Sequence, residues 1–434
     1  MPTDTPIVDF EALRVQNPNR NRVVLHSDAN CFYASVECLY HPELRCKPVA
    51  VCGDPEARHG IVLTKNYIAK KYGIETGEAI FQAKQKCPEL VIVPAHYPLY
   101  RKFSRKLRRL YESYTDRVES YGLDECWLEV SGGTMDIAAG TRLADEIRRR
   151  VKEELGITVS VGVGTNKAFA KLGSDMKKPD GTTVIPARGF EELVWPLPVN
   201  RLLFVGPRTM KKFLDWNLLT IGDLARADSA WLARVMGKAG LTLKQFALGL
   251  DAAPVAASDA ELMEKSIGNS TTTPRDMENL DDIRCVLYLL AECVSGRLRR
   301  AGFRARTISL GVRTTDLYWY GCQRTISTPT NLTDDIAFTA LELFGQRYTR
   351  MFPFRSIGVH CENLTPEDAP MQLDLLGDSA RREKAERMER TIDDLTRRFG
   401  KGVIHRGIVY FDPDFAGINP ADDHVGPATK NAAI

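Results

Sequence analysis

Three acidic residues in this 434-residue chain sit where carboxylates can work together. Asp28 ends the apolar run 23–26, which reads as a strand. Asp124 and Glu125 stand side by side in Tyr121-Gly122-Leu123-Asp124-Glu125-Cys126-Trp127-Leu128, where another extended run begins. If the two runs are neighbours in one sheet, the three carboxylates converge. Such hard oxygen donors suit Mg²⁺, which keeps octahedral geometry and is usually held by few carboxylates plus substrate phosphates. Two such ions about 3.5–4 Å apart can activate an attacking oxygen and stabilise a leaving one in an in-line displacement at phosphorus. Acids at strand ends are also common and merely solvated, so spacing alone leaves both readings open.

The surrounding pattern supplies the elements that would position them. Residues 30–39 read as a helix with Phe32, Val36 and Leu39 on one face, and strand-like runs recur at 49–52, 61–64 and 91–93. From 99 to 114, Tyr100, Phe103, Leu107, Leu110, Tyr111 and Tyr114 keep helical spacing, while arginines and lysines fill the other faces. An extended segment at 127–130, a helix at 143–155, a strand at 158–163, a helix at 167–176 and a short strand at 182–185 follow. Two strand–helix–strand passes around acidic strand ends predict a ferredoxin-like βαββαβ layer.

Prolines mark a boundary at 186–198. Beyond it 200–250 is short-helical, and Phe204-Val205-Gly206-Pro207 outlines a helix-hairpin-helix whose glycine turn exposes N–H groups to a phosphate. Residues 251–260 read as a linker. A separate unit at 266–364 alternates strands with two amphipathic helices, and a charged helix at 381–398 follows a polar break.

Composition narrows the class. Hydrophobic residues make up 44% and charged ones 26%, which excludes wholesale disorder. The 59 Lys and Arg against 56 Asp and Glu leave a net charge of only +3, so any basic footprint for a nucleic acid must be local. Residues 1–22 lack the apolar core of a signal peptide, and no apolar run nears the ~20 residues that span a bilayer. A cytoplasmic protein with no membrane partner is expected. The 10 cysteines contain no Cys-x-x-Cys pair and the 7 histidines no ligand spacing, so a zinc site or disulfide framework is not expected.

Four blocks carry a family resemblance. His26-Ser27-Asp28-Ala29-Asn30-Cys31-Phe32-Tyr33-Ala34-Ser35-Val36-Glu37 resembles the first palm motif of the Y-family (translesion) DNA polymerases. The Asp124-Glu125 block resembles their second acidic motif, and 160–181, with Lys167, Lys171 and Lys178-Pro179, resembles the third. Thr64-Lys65-Asn66-Tyr67-Ile68-Ala69-Lys70-Lys71-Tyr72-Gly73 is similar to their fingers segment. Together the blocks span about 22–364 in the family's order.

The resemblance implies an α+β, multidomain, right-hand polymerase. Its parts would be a ferredoxin-like palm (22–39 and 96–186), small fingers (40–95) and a helical thumb with a helix-hairpin-helix (187–255). A linker (256–265), an α/β little finger (266–364) and a tail (365–434) would complete it. It implies a monomer that adds deoxynucleotides to a primer 3′-OH on template DNA, with low fidelity, in translesion synthesis and repair. Asp28, Asp124, Glu125 and the Ala29 carbonyl would hold two Mg²⁺ ions. Backbone groups at Cys31, Phe32 and Tyr33, with Thr64, Tyr67, Lys70 and Lys178, would bind the triphosphate, and Tyr33 would be the steric gate against ribose. Lys70 stands where many relatives carry Arg, replacing a bidentate fork by a point charge.

Ile61 and Leu63 fall where the fingers roof the templating base. Gly206, Arg304, Arg306 and Arg355 are candidates for DNA contact, although arginines at the end of a helix also complement its dipole. In the tail, Gln372, Leu373, Leu375 and Leu376 resemble the peptide by which bacterial polymerases bind the sliding clamp. The alternative of another class is a catalytically silent DNA- and clamp-binding scaffold, and a silent member should lack part of the carboxylate set, which is complete here. A dinucleotide-binding reading of Gly162-Val163-Gly164 lacks the third glycine, with Lys167 in its place.

Overall fold

The computed structural model describes residues 19, 21–54, 60–260, 264–349, 351, 353–370, 379–400, 403–404, 406–408 and 412–418. The clamp-like residues Gln372, Leu373, Leu375 and Leu376 lie outside them. The chain forms two compact units.

In the first unit, β1 (Val24–Ala29) leads into α1 (Phe32–Tyr40). A small sheet of β2 (Val49–Cys52), β3 (Val62–Lys65) and β4 (Val91–Pro94) follows, with helices α2 (Tyr67–Lys71) and α3 (Ile80–Lys86). The chain continues through α4 (Tyr97–Glu112), β5 (Val118–Tyr121), β6 (Glu125–Glu129), α5 (Ile137–Leu155), β7 (Val159–Gly164), α6 (Lys167–Met176) and β8 (Thr182–Val184). The main sheet runs β5-β6-β1-β7-β8, with β1 antiparallel to both neighbours and β8 added parallel to β7. Without β8 this is the strand order of the ferredoxin-like layer read from the sequence.

β1 is buried along its whole length, and its two faces have different partners. Leu25 and Ala29 share a core with Leu107 and Tyr111 of α4 and Ile147 of α5, while Val24 packs with Trp127 and with Ala170 of α6. Strand alternation therefore turns His26 and Asp28 toward α6. That helix lies unusually close to the sheet because Gly162 has no side chain: a Cβ there would come within 1.9 Å of the Ala170 carbonyl oxygen. The glycine pair that suggested a dinucleotide fold is a close helix–sheet contact. Asn166 caps α6 by accepting from the Phe169 N–H at 2.9 Å.

Helices α7 (Phe190–Val194), α8 (Pro207–Asp215), α9 (Ile221–Arg226), α10 (Ser229–Met236) and α11 (Lys238–Ala247) close around Phe213, Ile221, Leu224 and Leu232. Phe169 of α6 joins that core, so the helical cluster is seated on the helix that backs the sheet.

The second unit contains β9 (Ser266–Met277), α12 (Leu280–Arg300), β10 (Phe303–Thr314), β11 (Trp319–Thr330), α13 (Thr333–Arg347) and β12 (Phe354–Pro366), followed by α14 (Ser379–Phe399) and α15 (Pro413–Ala416). It repeats the βαββαβ element order, yet its sheet runs β11-β10-β12-β9. Ile308, Leu310 and Val312 of β10 bury themselves with α12 and α13. The alternate residues form the other face, where Gly321, Gly311, Gly358 and Ser270 stand in register across all four strands.

Helix α14 is attached to this unit largely by charge. Arg299 reaches Glu389 at 3.1 Å and Asp393 at 2.6 Å, and Arg406 reaches Glu389 at 2.5 Å. Glu389 is 3% exposed and also accepts from the Thr333 hydroxyl at 3.0 Å. The charged helix for which the sequence offered no role is an ion-paired element of this unit.

Candidate active site

The antiparallel pairing of β1 and β6 sets Asp28 directly opposite Glu125. Asp124 precedes the strand, and its carbonyl accepts from the Ala29 N–H at 3.0 Å. The three carboxylates read from the sequence thus gather at one end of two neighbouring strands. Their environments differ. Burial, with the Asp28 and Glu125 charges beside it, pushes Asp124 up to about 7. Burial also raises Asp28, partly opposed by the Lys178 ammonium. Glu125 goes the other way: burial would raise it, but the His26 ring, its Nε2 3.2 Å away, and the Lys171 ammonium hold it down at about 2.

Two lysines neutralise the cluster. Lys178 Nζ lies 2.7 Å from Asp28 Oδ2 and 2.7 Å from Asp175. Burial alone would lower that ammonium, but the Asp28 and Asp175 carboxylates overcome it and keep it charged. Lys171 Nζ bonds Glu125 Oε2. The loop that presents Lys178 is tied to β1 by Asn30, whose Oδ1 accepts from the Asp180 N–H at 2.9 Å and the Thr158 hydroxyl at 3.0 Å. The sequence reading named Lys178 but missed Lys171, Asn30 and His26. The signals were there: His26 shares a strand face with Asp28 by period two, and Lys171 lies one helical turn before Ser174 on the helix over Gly162.

Among the described residues, no group of three His, Cys, Asp or Glu side chains forms a ready-made metal cage. The donor set nevertheless suits a divalent cation: three acidic side chains come together, one of them raised to about 7 by burial and by the charges of the other two. Mg²⁺ is normally completed by substrate phosphates and water rather than by protein alone.

The flanking residues behave as follows. Cys31 caps α1 in a left-handed conformation (φ 47°) with no side-chain cap, so the first-turn N–H groups of that helix have no capping side chain. Phe32 is buried in the core. Tyr33 is half-buried and stacks on Tyr100, with rings 4.2 Å apart at 9°, and burial beside Asp124 pushes its hydroxyl up to about 12. Burial pushes the Cys31 thiol up, partly opposed by the Lys70 charge and the nearby Tyr67 hydroxyl. Lys70 is exposed, its ammonium 5.7 Å from the Tyr67 ring centre. Thr64 and Leu63 of β3 are half-buried and Ile61 is exposed.

Of the residues expected at DNA, Gly206 is the exposed N-cap of α8, with no side-chain cap on that helix end. Arg306 is exposed on β10 and Arg355 half-buried on β12. Arg304 is different. It is only 8% exposed, donates to the Glu367 carbonyl and lies 3.3 Å from Glu386, so it fastens α14 instead of facing outward. Arg299 is likewise tied to α14, and Arg297 donates to the Gly268 carbonyl at 2.9 Å.

Comparison with known proteins agrees with this architecture. Residues 27–175 match the impB/mucB/samB family and residues 264–375 the C-terminal domain of that family. The protein is similar in structure to a Y-family DNA polymerase chimera, Dbh-Dpo4(243-245)-Dbh, with a TM-score of 0.71 and 25% identity, covering 79% of this chain and 99% of the other. The chain therefore belongs to the impB/mucB/samB family, the Y-family polymerases, and is a DNA-directed DNA polymerase. Its relatives place it more narrowly, in the bacterial DNA polymerase IV group. It is 51% identical to the DNA polymerase IV of Acetivibrio thermocellus over 90% of this chain and 98% of that one. It is 37% identical to that of Moorella thermoacetica over 89% and 95%. Among the described residues, no helix is long and apolar enough to cross a membrane.

Proposed function

We propose that this polymerase extends primers by two-metal-ion phosphoryl transfer at Asp28, Asp124 and Glu125, with low fidelity, in the bypass of damaged template. The observation that supports this reading is the gathering of the three carboxylates where β1 meets β6, with Asp124 raised to about 7 by burial and by the Asp28 and Glu125 charges beside it. Crowded like charges of this kind are relieved by bound cations.

Asp28, Asp124, Glu125 and the Ala29 carbonyl would hold two Mg²⁺ ions. When bound, the ions supply the positive charge that favours ionisation of the primer 3′-OH and offsets charge on the leaving pyrophosphate. The 3′-oxygen bonds to the α-phosphorus, the bond to the β-phosphoryl group breaks, and the hydroxyl proton passes to water. The open N–H groups at the start of α1, around Cys31–Tyr33, suit phosphate oxygens. Lys178, kept charged by Asp28, and Lys70, on its short helix with Tyr67 and near Thr64, add cationic and polar partners for the triphosphate. Tyr33, braced flat against Tyr100, presents a fixed ring to the sugar and fits the gate role. Ile61 and Leu63 would roof the template base.

In the first unit, the main sheet serves as palm, the small sheet as fingers and the helical cluster as thumb, its Gly206 turn toward a DNA phosphate. The second unit acts as little finger, gripping DNA through Arg306 and Arg355. Residues 372–376 dock on a sliding clamp. The protein works as a cytoplasmic monomer. Primer extension with Mg²⁺ tests the core of this: wild type extends a primer and Asp124→Ala does not. Equal extension by both, or by neither, would refute the assignment.

A further inference from the structure

We propose that the β10–β11 hairpin of the second unit carries a stacking site for unpaired nucleobases, with Trp319 as its platform. The unit would then hold single-stranded template by base faces as well as by phosphates. The inference rests on the second unit being a DNA-holding domain. Four large side chains in succession, Leu317, Tyr318, Trp319 and Tyr320, are 42–67% exposed at the hairpin tip. Single exposed apolar residues are ordinary, whereas a contiguous group of them marks a surface that something else covers.

The tip is held in one shape. Leu317 takes a left-handed conformation (φ 69°), its N–H donates to the Thr314 carbonyl at 3.0 Å, and the Thr314 N–H donates to the Tyr318 carbonyl at 3.0 Å. Arg313 Nε donates to the Leu317 carbonyl at 3.3 Å. The register sets Trp319 opposite Arg313 and Gly321 opposite Gly311. The indole lies over Gly311, where a Cβ would come within 3.5 Å of the ring, and the Arg313 guanidinium is 5.8 Å from the ring centre. The ring is thus braced by the sheet and by Arg313 while more than half of Trp319 stays exposed. A platform already fixed in place has little freedom left to lose when a flat ligand settles on it.

Charge decides the occupant. The chain from 303 to 330 holds four arginines, Arg304, Arg306, Arg313 and Arg324, against one acid, Asp316. Glu386 meets Arg304 and Glu342 meets Arg324. Arg306 and Arg313 donate to the Ser327 and Leu317 carbonyls and meet no carboxylate among the described residues. Uncompensated guanidiniums beside exposed aromatic rings fit a single strand: the cations meet its phosphates and the rings its bases, without regard to sequence. A duplex keeps its base faces inside and offers the rings nothing to stack on. A polymerase necessarily handles unpaired template ahead of the primer end, and that strand is the occupant.

The test uses the full-length protein and two labelled strands of equal length, oligo(dT) and an abasic oligonucleotide that has sugars and phosphates but no bases. Wild type should bind oligo(dT) more tightly. Trp319→Ala should weaken oligo(dT) binding about tenfold, the weight of one stacked base, and leave the abasic strand and a blunt duplex unchanged. Trp319→Phe, which keeps a ring, should recover most of the loss. Intrinsic emission gives a second readout: oligo(dT) should quench wild type more than Trp319→Phe, since the other four tryptophans lie in the first unit. A folded Trp319→Ala protein that binds oligo(dT) like wild type overturns the proposal. So does an equal loss on both strands, which would make the ring a support for Arg313 alone. A concentration-dependent dimer that Trp319→Ala abolishes, with oligo(dT) affinity unchanged, also overturns it, because a second copy of the chain would then cover the tip. Should Trp319→Ala not fold, Trp319→Leu, which keeps apolar bulk over Gly311, stands in for it with the same outcomes. Arg306→Ala with Arg355→Ala separates the two levels. If the pair leaves abasic-strand and duplex affinity unchanged, the phosphate grip fails, while the preference for oligo(dT) over the abasic strand still decides the stacking site.

Discussion

Asp124 is a residue the fold holds against its own preference, and the cost can be measured. Its carboxyl is pushed up to about 7 from an ordinary 3.8 by burial and by the Asp28 and Glu125 charges. At about 1.36 kcal/mol per pH unit, that separation corresponds to on the order of 4 kcal/mol when the group is fully ionised in the metal-free protein. The sign follows from which state holds the proton more tightly. Below the ordinary value the group is protonated folded or unfolded and contributes nothing. Between it and about 7 the unfolded chain has lost the proton and the folded chain has not, so stability falls as pH rises, then levels off. Asn mimics the neutral acid and does not titrate. Asp124→Asn should therefore match wild type in stability near pH 4 and exceed it by roughly 3–4 kcal/mol at pH 8 in chelator, while losing polymerase activity. Urea unfolding followed by tryptophan fluorescence reads this, because Trp127, Trp195, Trp216 and Trp231 all lie in the first unit and only Trp319 in the second. Saturating divalent cation should shrink the difference by stabilising wild type. A difference that stays constant from pH 4 to 8, or a less stable variant at pH 8, would refute the reasoning.

Three further outcomes are expected. Gly162→Ala places a Cβ 1.9 Å from the Ala170 carbonyl oxygen, so α6 must lift from the sheet; a loss of about 2–3 kcal/mol and a large drop in extension should appear together in melts and primer assays, and an active, unshifted variant would contradict the packing. Tyr33→Ala should raise ribonucleotide incorporation at least about tenfold with deoxynucleotide incorporation little changed, read by extension on either nucleotide pool; unchanged selectivity would leave Tyr33 as plain packing against Tyr100. Glu389→Ala takes away the buried carboxylate that Arg299 and Arg406 share, leaving Arg299 with Asp393 and Arg406 with Glu292 and Asp334, and should destabilise the second unit by about 1–3 kcal/mol, whereas no measurable shift in urea unfolding would mean that the remaining carboxylates suffice.

What the sequence revealed followed local periodicity. The palm-like layer was legible because apolar runs alternate with 3.6-period helices, and the helix read at 167–176 has the bounds of α6, which Asn166 caps. The three carboxylates were legible because a strand end fixes where a side chain emerges. Longer-range facts were not. Nothing local says that the second unit's strands run β11-β10-β12-β9, since a βαββαβ order fits more than one pairing. Nor does spacing show that Lys171 crosses from α6 to Glu125, which depends on the absence of a side chain at Gly162. Nor were the strand ends legible: β10 and β11 run over Phe303–Thr314 and Trp319–Thr330, and Arg and Gly interrupt the apolar alternation in both.

Charge is the property that the structure reinterprets most. A net +3 implies a local basic footprint, and the arginines between 297 and 306, with the DNA candidates Arg304 and Arg306 among them, are the densest such cluster in the second unit's sequence. The structure divides that cluster by strand and helix face. Arg299 and Arg304 turn toward α14 and meet Glu389, Asp393 and Glu386, while Arg306 stays exposed. An arginine whose charge is already met by a buried carboxylate can reach a phosphate only by leaving that carboxylate stranded, at a cost of several kcal/mol. The proposed grip on DNA falls without that cost to Arg306, which is exposed on β10 and donates to the Ser327 carbonyl. The expected contrast is in salt dependence: Arg306→Ala should lower the slope of primer–template affinity against salt by about 1, and Arg304→Met should leave it unchanged. Equal slopes for the two variants would mean that α14 releases its arginines when DNA binds.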